Sequence, residues 1–331
     1  MISVYQDSAQ SAMTWARSLL KGDGSFRDAS HEVGAYYLAP LAFRMSGFPD
    51  LAEAALSYVK RTMVRDGDIN KGTNDTGSNV ATFRNAMLSV GTTPDDNDNL
   101  RPSLAAHLNS MQNPETGGVL ARKPIANEKR EIDLATTSAT LLGMLELGMT
   151  NQAILAGEHL VQRMIATQPD PTEYVLFRQS WDGNWIDTYA KSDKSRYKLD
   201  LGAAHQIYWP LGICMAALAR LFQTTQDSSF LTTCDILFDW ANKCAPGAFN
   251  DLTAAKVGWG CSELFLATQQ LNFKVAAEQV ATMLIDTQTP DGVWLRRPTI
   301  SKIEDQPIHV TLDTTLERVC WLLHIARNLN P

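Results

Sequence analysis

The chain is short of charge and of the motifs that would announce a function. Asp, Glu, Lys and Arg make up 20% of its 331 residues and hydrophobic residues 44%, a balance that fits a folded body with a large interior and excludes a disordered or fibrous protein. Lys and Arg never gather into a block and the net charge is −7. Binding to a phosphate backbone depends on clustered cations that displace counterions, so nucleic acid is excluded as a partner. No apolar run reaches the roughly 20 residues of a membrane span, and the start MISVYQDSAQSAM lacks a basic segment followed by an apolar core. A soluble, cytoplasmic chain is therefore expected. The five cysteines (Cys214, Cys234, Cys244, Cys261, Cys320) are odd in number and none forms a CxxC pair, which argues for reduced core thiols over a disulfide framework or zinc site. GxxxxGK[ST], GxGxxG after a strand, HExxH and GxSxG are all missing. An Asp-Asp-x-x-Asp metal box at mid-helix is missing too, and Asp95-Asp96-Asn97-Asp98 follows 91–94 as a solvated acidic turn. No cofactor and no metal is expected.

What is present is a rhythm of paired helical segments, about 50 residues per pair. One member of each pair keeps its charges on a single face: 6–21, 50–64, 99–111, 152–167, 229–243 and 274–287. The other is apolar or small on nearly all faces and must be buried among helices: 31–45, 79–90, 134–147, 201–222, 257–267 and 310–325. Six outer and six inner helices in alternation predict an all-α protein, a single (α/α)6 toroid over 1–331, with an open solenoid as the other arrangement. Inner-to-outer turns are short and carry helix-stop residues, as in Ser46-Gly47-Phe48-Pro49. Outer-to-inner links are longer, and two of them, 119–132 and 294–308, alternate enough to predict short hairpins on one face of the ring. Those links lead into the starts of the inner helices, where a site is expected.

After the sixth outer segment the sequence reads Gln288-Thr289-Pro290-Asp291-Gly292-Val293-Trp294, with degenerate copies at Gln112 with Gly117-Gly118-Val119-Leu120 and at 21–26. The pattern resembles the QW motif of the squalene–hopene cyclase and prenyltransferase superfamily, whose members are α/α toroids. Physically, the Gln bonds free backbone groups at a helix end, the Gly permits the turn and the aromatic ring packs back on the helix. Class II cyclases of that superfamily use Asp-x-Asp-Asp-Thr with the middle Asp as proton donor. Here Glu131-Ile132-Asp133-Leu134-Ala135-Thr136-Thr137 matches only in part, with Asp133 at the donor position, Glu131 for the first Asp and Leu134 for the third. The chain is similar to one toroid of such an enzyme, and the resemblance implies kinship with small terpene-cyclase homologues of fungal secondary metabolism.

The starts of the inner segments carry polar groups that an apolar bundle has no use for: His31 and Glu32; Asn79, Arg84 and Asn85; Asp133, Thr136 and Thr137; Asp200, His205 and Gln206; Trp259 and Glu263; His309, Asp313 and Glu317. Singly, each reads as a cap or a satisfied hydrogen bond. Together, they converge on one end of a toroid. Asp133 and Asp313 stand in parallel contexts, Asp-Leu-Ala-Thr-Thr and Leu-Asp-Thr-Thr, and either carboxyl, in an apolar pocket, would have the raised pKa of a general acid. His309 and His205 are the candidate proton partners. Tyr36, Tyr37, Phe83, Tyr208, Trp209, Trp259 and Trp321 would line the substrate space or the core.

The first expectation is a metal-independent Brønsted-acid cyclase or isomerase that steers a cationic rearrangement of a prenylated or epoxide-bearing small molecule, with the aromatic faces stabilising the cation. A carbohydrate-active (α/α)6 enzyme, a glycoside hydrolase or sugar epimerase, is the alternative, drawing on Glu32, Asp133, Asp200, Glu263 and Asp313. A helical scaffold without catalysis, with a shallow or filled centre, is the third.

Overall fold

The computed structural model describes residues 2–70, 78–94, 99–125, 128–244, 247–296, 300 and 302–330. The outer helices are α1 (Ile2–Leu19), α3 (Pro49–Thr62), α5 (Leu100–Met111), α7 (Thr150–His159), α10 (Ser229–Lys243) and α12 (Leu271–Asp286). Between them run the inner helices α2 (Ala39–Met45), α4 (Ala81–Val90), α6 (Leu134–Glu146), α9 (Trp209–Thr225), α11 (Ala255–Thr268) and α13 (Ile308–Asn328), with a one-turn α8 (Lys194–Tyr197) in a link. The inner helices are buried over almost their whole length, as in the unbroken run from Leu134 to Met144. They close into a ring: α2, α4, α6, α9, α11 and α13 each pack on the next, and α13 returns to α2. This is the expected (α/α)6 toroid. No described helix is long and apolar enough to cross a membrane, and all five cysteines are unpaired and buried.

Two inner segments begin later than their apolar pattern. In 31–45 only Ala39–Met45 is α-helical, after a 3-10 turn at Val33–Ala35, because Pro40 suits the first helical turn and no earlier residue. In 201–222 the helix waits for Trp209-Pro210, and His205 adopts a left-handed φ of 53°. His31, Glu32, His205 and Gln206 thus lie in loops ahead of their helices. Of the two expected hairpins, the first is half realised. Leu120 bridges Ile132, but β1 (Glu131–Asp133) then pairs with the more distant β3 (Arg178–Ser180), while β2 (Tyr174–Leu176) pairs with β4 (Lys198–Asp200). The second is not formed among the described residues of 294–308, which hold a 3-10 turn at Ile303–Asp305. Its backbone is instead tied by side chains, with Gln306 Oε1 accepting from Arg296 N at 2.9 Å.

Glutamines at the ends of outer helices reach the next outer helix. Gln112 Nε2 donates to Gln152 O on α7 at 2.9 Å. Gln288 Nε2 donates to Gly292 O (2.7 Å) and to Ser8 O on α1 (2.9 Å), and Ser8 Oγ donates back to Gln288 Oε1 (2.6 Å). The Trp294 ring is fully buried and its Nε1 donates to Leu284 O at 2.7 Å. The last repeat is thereby fastened to the first. Gly292 makes this approach possible: its φ is 82°, and a Cβ there would overlap Ser11 of α1.

Gly292→Ala should therefore cost more than Gly148→Ala, a turn with φ of 78° and open space around it. The second carries only the left-handed term of about 1–2 kcal/mol, while the first adds overpacking of about 1–3 kcal/mol. Urea unfolding of both variants checks this, and equal losses would contradict the closure.

Candidate active site in the inner ring

A cavity of about 390 Å³ opens at the end of the ring where α4, α9, α11 and α13 begin. Its walls carry Phe83 and Arg84 from α4, Trp209 at the start of α9, Lys256 from α11 and Asp313, Thr314, Glu317 and Arg318 from α13, with Tyr37 and Arg296 from the adjoining links. Asp313 and Glu317 are one turn apart on a single helix face, as are Thr314 and Arg318, so α13 presents both acids and a guanidinium to one space. Lys256 is brought in by a close helix crossing. Gly212 of α9 lies against the backbone of Lys256 and Val257, where a Cβ would overlap it. The turn leading into α11 is held by Asp251, whose carboxylate accepts from Thr253 N (2.9 Å), and by Thr253 Oγ1 donating to Gln206 O (2.7 Å). Arg318 ties α13 to that turn, donating to Thr314 O and Leu252 O, both at 3.0 Å.

The Lys256 ammonium is ion-paired with Glu317 and lies 4.9 Å from the Trp209 ring centre, 5.4 Å from Trp321 and 5.5 Å from Phe83. Burial pushes this ammonium down, to about 7, against the pull of Asp313, and the Glu317 carboxylate in contact with it works in the upward direction. Burial also raises the Asp313 carboxyl, opposed by Arg84, a hydrogen bond with Tyr37, Lys256 and Arg296. Arg318 is brought down to about 10, again by burial first. Behind Lys256, Trp321 stacks on Trp259 with centres 4.3 Å apart. Trp259 Nε1 donates to Glu263 Oε1 (2.8 Å), which also accepts from Arg220 Nη2 (2.9 Å). Burial alone would raise Glu263, but Arg220, His324 and these hydrogen bonds hold it at about 2. It is a fixed anion under the floor.

Of the residues singled out in the sequence, Asp313, Tyr37, Phe83, Arg84, Trp209 and Glu317 face the cavity, and Trp259, Trp321 and Glu263 lie one layer behind. The others are elsewhere. Asp133 caps α6, accepting from Thr136 N at 2.7 Å, and pairs with Arg178 at 3.3 Å. Glu131 accepts from Arg178 (2.6 Å) and from Tyr197 (2.9 Å). Thr137 Oγ1 accepts from Val119 N at 3.1 Å, and the Tyr36 hydroxyl accepts from Phe26 N at 2.7 Å. His205 is exposed beside Asp251 at 3.4 Å, and His309 stands 3.9 Å from Glu32, neither lining the cavity. The acidic stretch 95–98 lies outside the described residues. Sequence reasoning passed over Lys256, Arg296 and Arg318. Lys256 had a readable signal: it is the lone charge in an inner helix that is otherwise apolar down to Ser262.

No protein-family model matches the chain, and no curated protein does. Solved structures do. A D-mannose isomerase superposes with a TM-score of 0.70 at 12% identity, covering 97% of each chain. A GH76 α-mannanase of Bacteroides thetaiotaomicron gives 0.63 at 11%, covering 99% of this chain and 97% of that one. An unsaturated glucuronyl hydrolase specific for heparin gives 0.61 at 13%, covering 99% and 97%. At these identities the likeness establishes the toroid. It does not carry the terpene-cyclase assignment implied by the Gln-Trp resemblance.

The Lys256 ammonium should titrate well below the ordinary lysine value of about 10.4, at about 7, and lower still in Glu317→Gln, which removes the opposing carboxylate. NMR of the 15Nζ signal against pH measures both. A titration together with the surface lysines would contradict the burial argument.

Proposed function

We propose that the chain is a carbohydrate-active enzyme of the isomerase or epimerase kind, moving a proton on a small sugar held in the cavity. The observation that carries the reading is the meeting of Asp313 and Lys256 in one buried space, a carboxyl raised and an ammonium lowered by burial. In this reading the Asp313 carboxylate takes a proton from the carbon beside the carbonyl of an open-chain sugar. The Lys256 ammonium, backed by Glu317, neutralises the charge that develops on the carbonyl oxygen. Return of the proton from Asp313 to the opposite face of the same carbon, after the enediolate has turned over, completes an epimerisation; return to the former carbonyl carbon, while Lys256 gives a proton to that carbon's oxygen and takes back the hydroxyl proton of the neighbouring carbon, completes an aldose–ketose exchange. The catalytic group is Asp313, with Tyr37 donating to it and Lys256 as the electrophile.

The charge of the cavity favours this over the other chemistries. A carbocation would form among Arg84, Lys256, Arg296 and Arg318, and the ring faces of Phe83, Trp209 and Trp321 that would stabilise it are already turned to an ammonium. An oxyanion meets attraction in the same place. Glycoside hydrolysis needs two carboxyl groups flanking the scissile bond, whereas Asp313 and Glu317 project from one wall and Glu317 is taken by Lys256. A non-catalytic scaffold called for a shallow or filled centre. Similarity in fold to a D-mannose isomerase supports the reading and makes D-mannose and other hexoses the first substrates to try.

With such a substrate, Asp313→Asn should lower kcat/KM by about 10²–10⁴-fold while leaving the fold intact, since Asn is the same size and Asp313 Oδ1 has no hydrogen-bond partner to lose. kcat/KM should rise from acid pH as Asp313 ionises, with a midpoint above the ordinary carboxylate value, and fall on the alkaline side as Lys256 loses its proton. Lys256→Arg, which stays protonated, should remove that alkaline limb. Full activity in Asp313→Asn would refute the assignment.

A further inference from the structure

Trp181 and Trp185 take no part in the cavity, and both are half-buried. They stand on a hairpin that extends β3. Ser180 N donates to Asn184 O (2.8 Å) and Gly183 N to Ser180 O (2.9 Å), closing a tight turn in which Gly183 has φ of 85° and open space around it. Gln179 bridges Trp185 on the returning side. The base of the hairpin is held by buried Arg178, which donates to Glu131 at 2.6 Å, and by Trp181 N, which donates to Arg130 O at 3.0 Å. Each ring is fixed as well. Trp185 Nε1 donates to Thr167 O, past the end of α7, at 2.9 Å. Trp181 packs on Met111, Val119 and Leu120, with the Arg130 guanidinium 5.5 Å from its ring centre. Two large rings held in place and left half-exposed make a preformed surface.

Both rings line an open groove of about 600 Å³, together with Lys129, Arg130, Asp182 and Asn184. An indole is flat and apolar on its face. A pyranose has a face of C–H groups that matches it and a rim of hydroxyls, each both donor and acceptor. Asp182 and Asn184 accept from such hydroxyls, and Lys129 and Arg130 donate to them. The mixture also selects. An acidic ligand meets Asp182 and Asp187, and an apolar one strips water from these groups without replacing it. We propose that the groove is a second, non-catalytic saccharide site, in which rings of a neutral oligosaccharide stack on Trp181 and Trp185 and their hydroxyls bond to Asp182, Asn184 and Arg130. Among the described residues it shares no lining side chain with the reaction cavity, so it goes beyond the proposed proton transfer and does not depend on it. Its volume exceeds the 390 Å³ of that cavity, which fits a ligand of more than one ring.

The test is a titration of the full chain with maltohexaose, cellohexaose and mannohexaose, with D-glucose and D-mannose as single-ring probes and an oligogalacturonide as the acidic control. It is followed by NMR through the indole 15Nε1 signals of the eight tryptophans, those of Trp181 and Trp185 being assigned from their Phe variants. We expect at least one hexaose to move the Trp181 and Trp185 signals, to bind more tightly than the single rings there, and to leave Trp209 in place. Trp181→Ala should weaken that binding by about 10-fold or more, as for the loss of an aromatic anchor. Asp182→Ala combined with Asn184→Ala, at two exposed positions, should weaken it too, which separates lost contacts from a folding defect in the first variant. Turnover of a hexose in the cavity should be the same in both variants as in the unaltered chain. No movement with any hexaose, movement of Trp209 alone, or equal or tighter binding of the oligogalacturonide would overturn the inference. So would Trp181 and Trp185 signals that move with protein concentration in the absence of sugar, which would put a second copy of the chain in the groove. Hexose turnover that Asp313→Asn leaves intact would refute the proton-transfer reading without touching this site.

Discussion

The hydrogen bonds between Gln288 and Ser8 join the last outer helix to the first, and everything placed inside the ring depends on that closure. Inner helices that are apolar on all sides have no stable arrangement except against one another, and six of them in a ring leave no free flank. Closure also fixes where polar residues can be held. At one end of the inner helices the links bring side chains over the mouth, and there the packed interior gives way to a cavity of about 390 Å³. The small residues act at the contacts that set this geometry, Gly292 where α12 turns on to α1 and Gly212 where α9 meets α11. The second contact carries Lys256 inward.

The cavity is costly to the fold. Burial acts against Lys256, Asp313 and Arg318 alike, lowering the two cations and raising the acid, which means each is less stable in its charged form than it would be in water. The opposite charges recover part of that cost, with Glu317 on Lys256 and the guanidinium groups around Asp313. Arrangements of this kind are the expected mark of a reacting site, where a pKa is moved towards the working pH at the expense of stability. The Arg220–Glu263–His324 group under Trp259 differs in kind. There the carboxylate is driven down by its partners, and the cluster serves as a rigid support for the aromatic floor.

The fold was largely legible because its signal is periodic. One-faced outer helices alternate with all-apolar inner ones, and the boundaries slip only where Pro40 and Pro210 delay the helix or where a non-glycine residue, His205, turns left-handed. The site was legible in part. Asp133 and Asp313 look alike in sequence, but Asp133 stands at a strand-to-helix junction, where its oxygen caps α6, while Asp313 is inside α13 with no cap to make. An Asp within a helix is locally unfavourable, so Asp313 was the more telling of the two. Lys256, the lone charge at the head of an apolar inner helix, was legible but passed over, because a lysine at a helix start reads as a surface charge. Arg318 was hidden by its neighbour Glu317, which together with it reads as an ordinary charged pair. Only the ring shows that both cations point inward.

The central claim is proton transfer at carbon by Asp313. Its most direct measurement is proton NMR of candidate hexoses incubated with the protein in D2O. The account predicts loss of the signal from the hydrogen on the carbon beside the carbonyl, at a rate that Asp313→Asn abolishes and that needs no net conversion of the sugar. An exchange rate or an isomerisation rate in Asp313→Asn equal to that of the unaltered chain would contradict it.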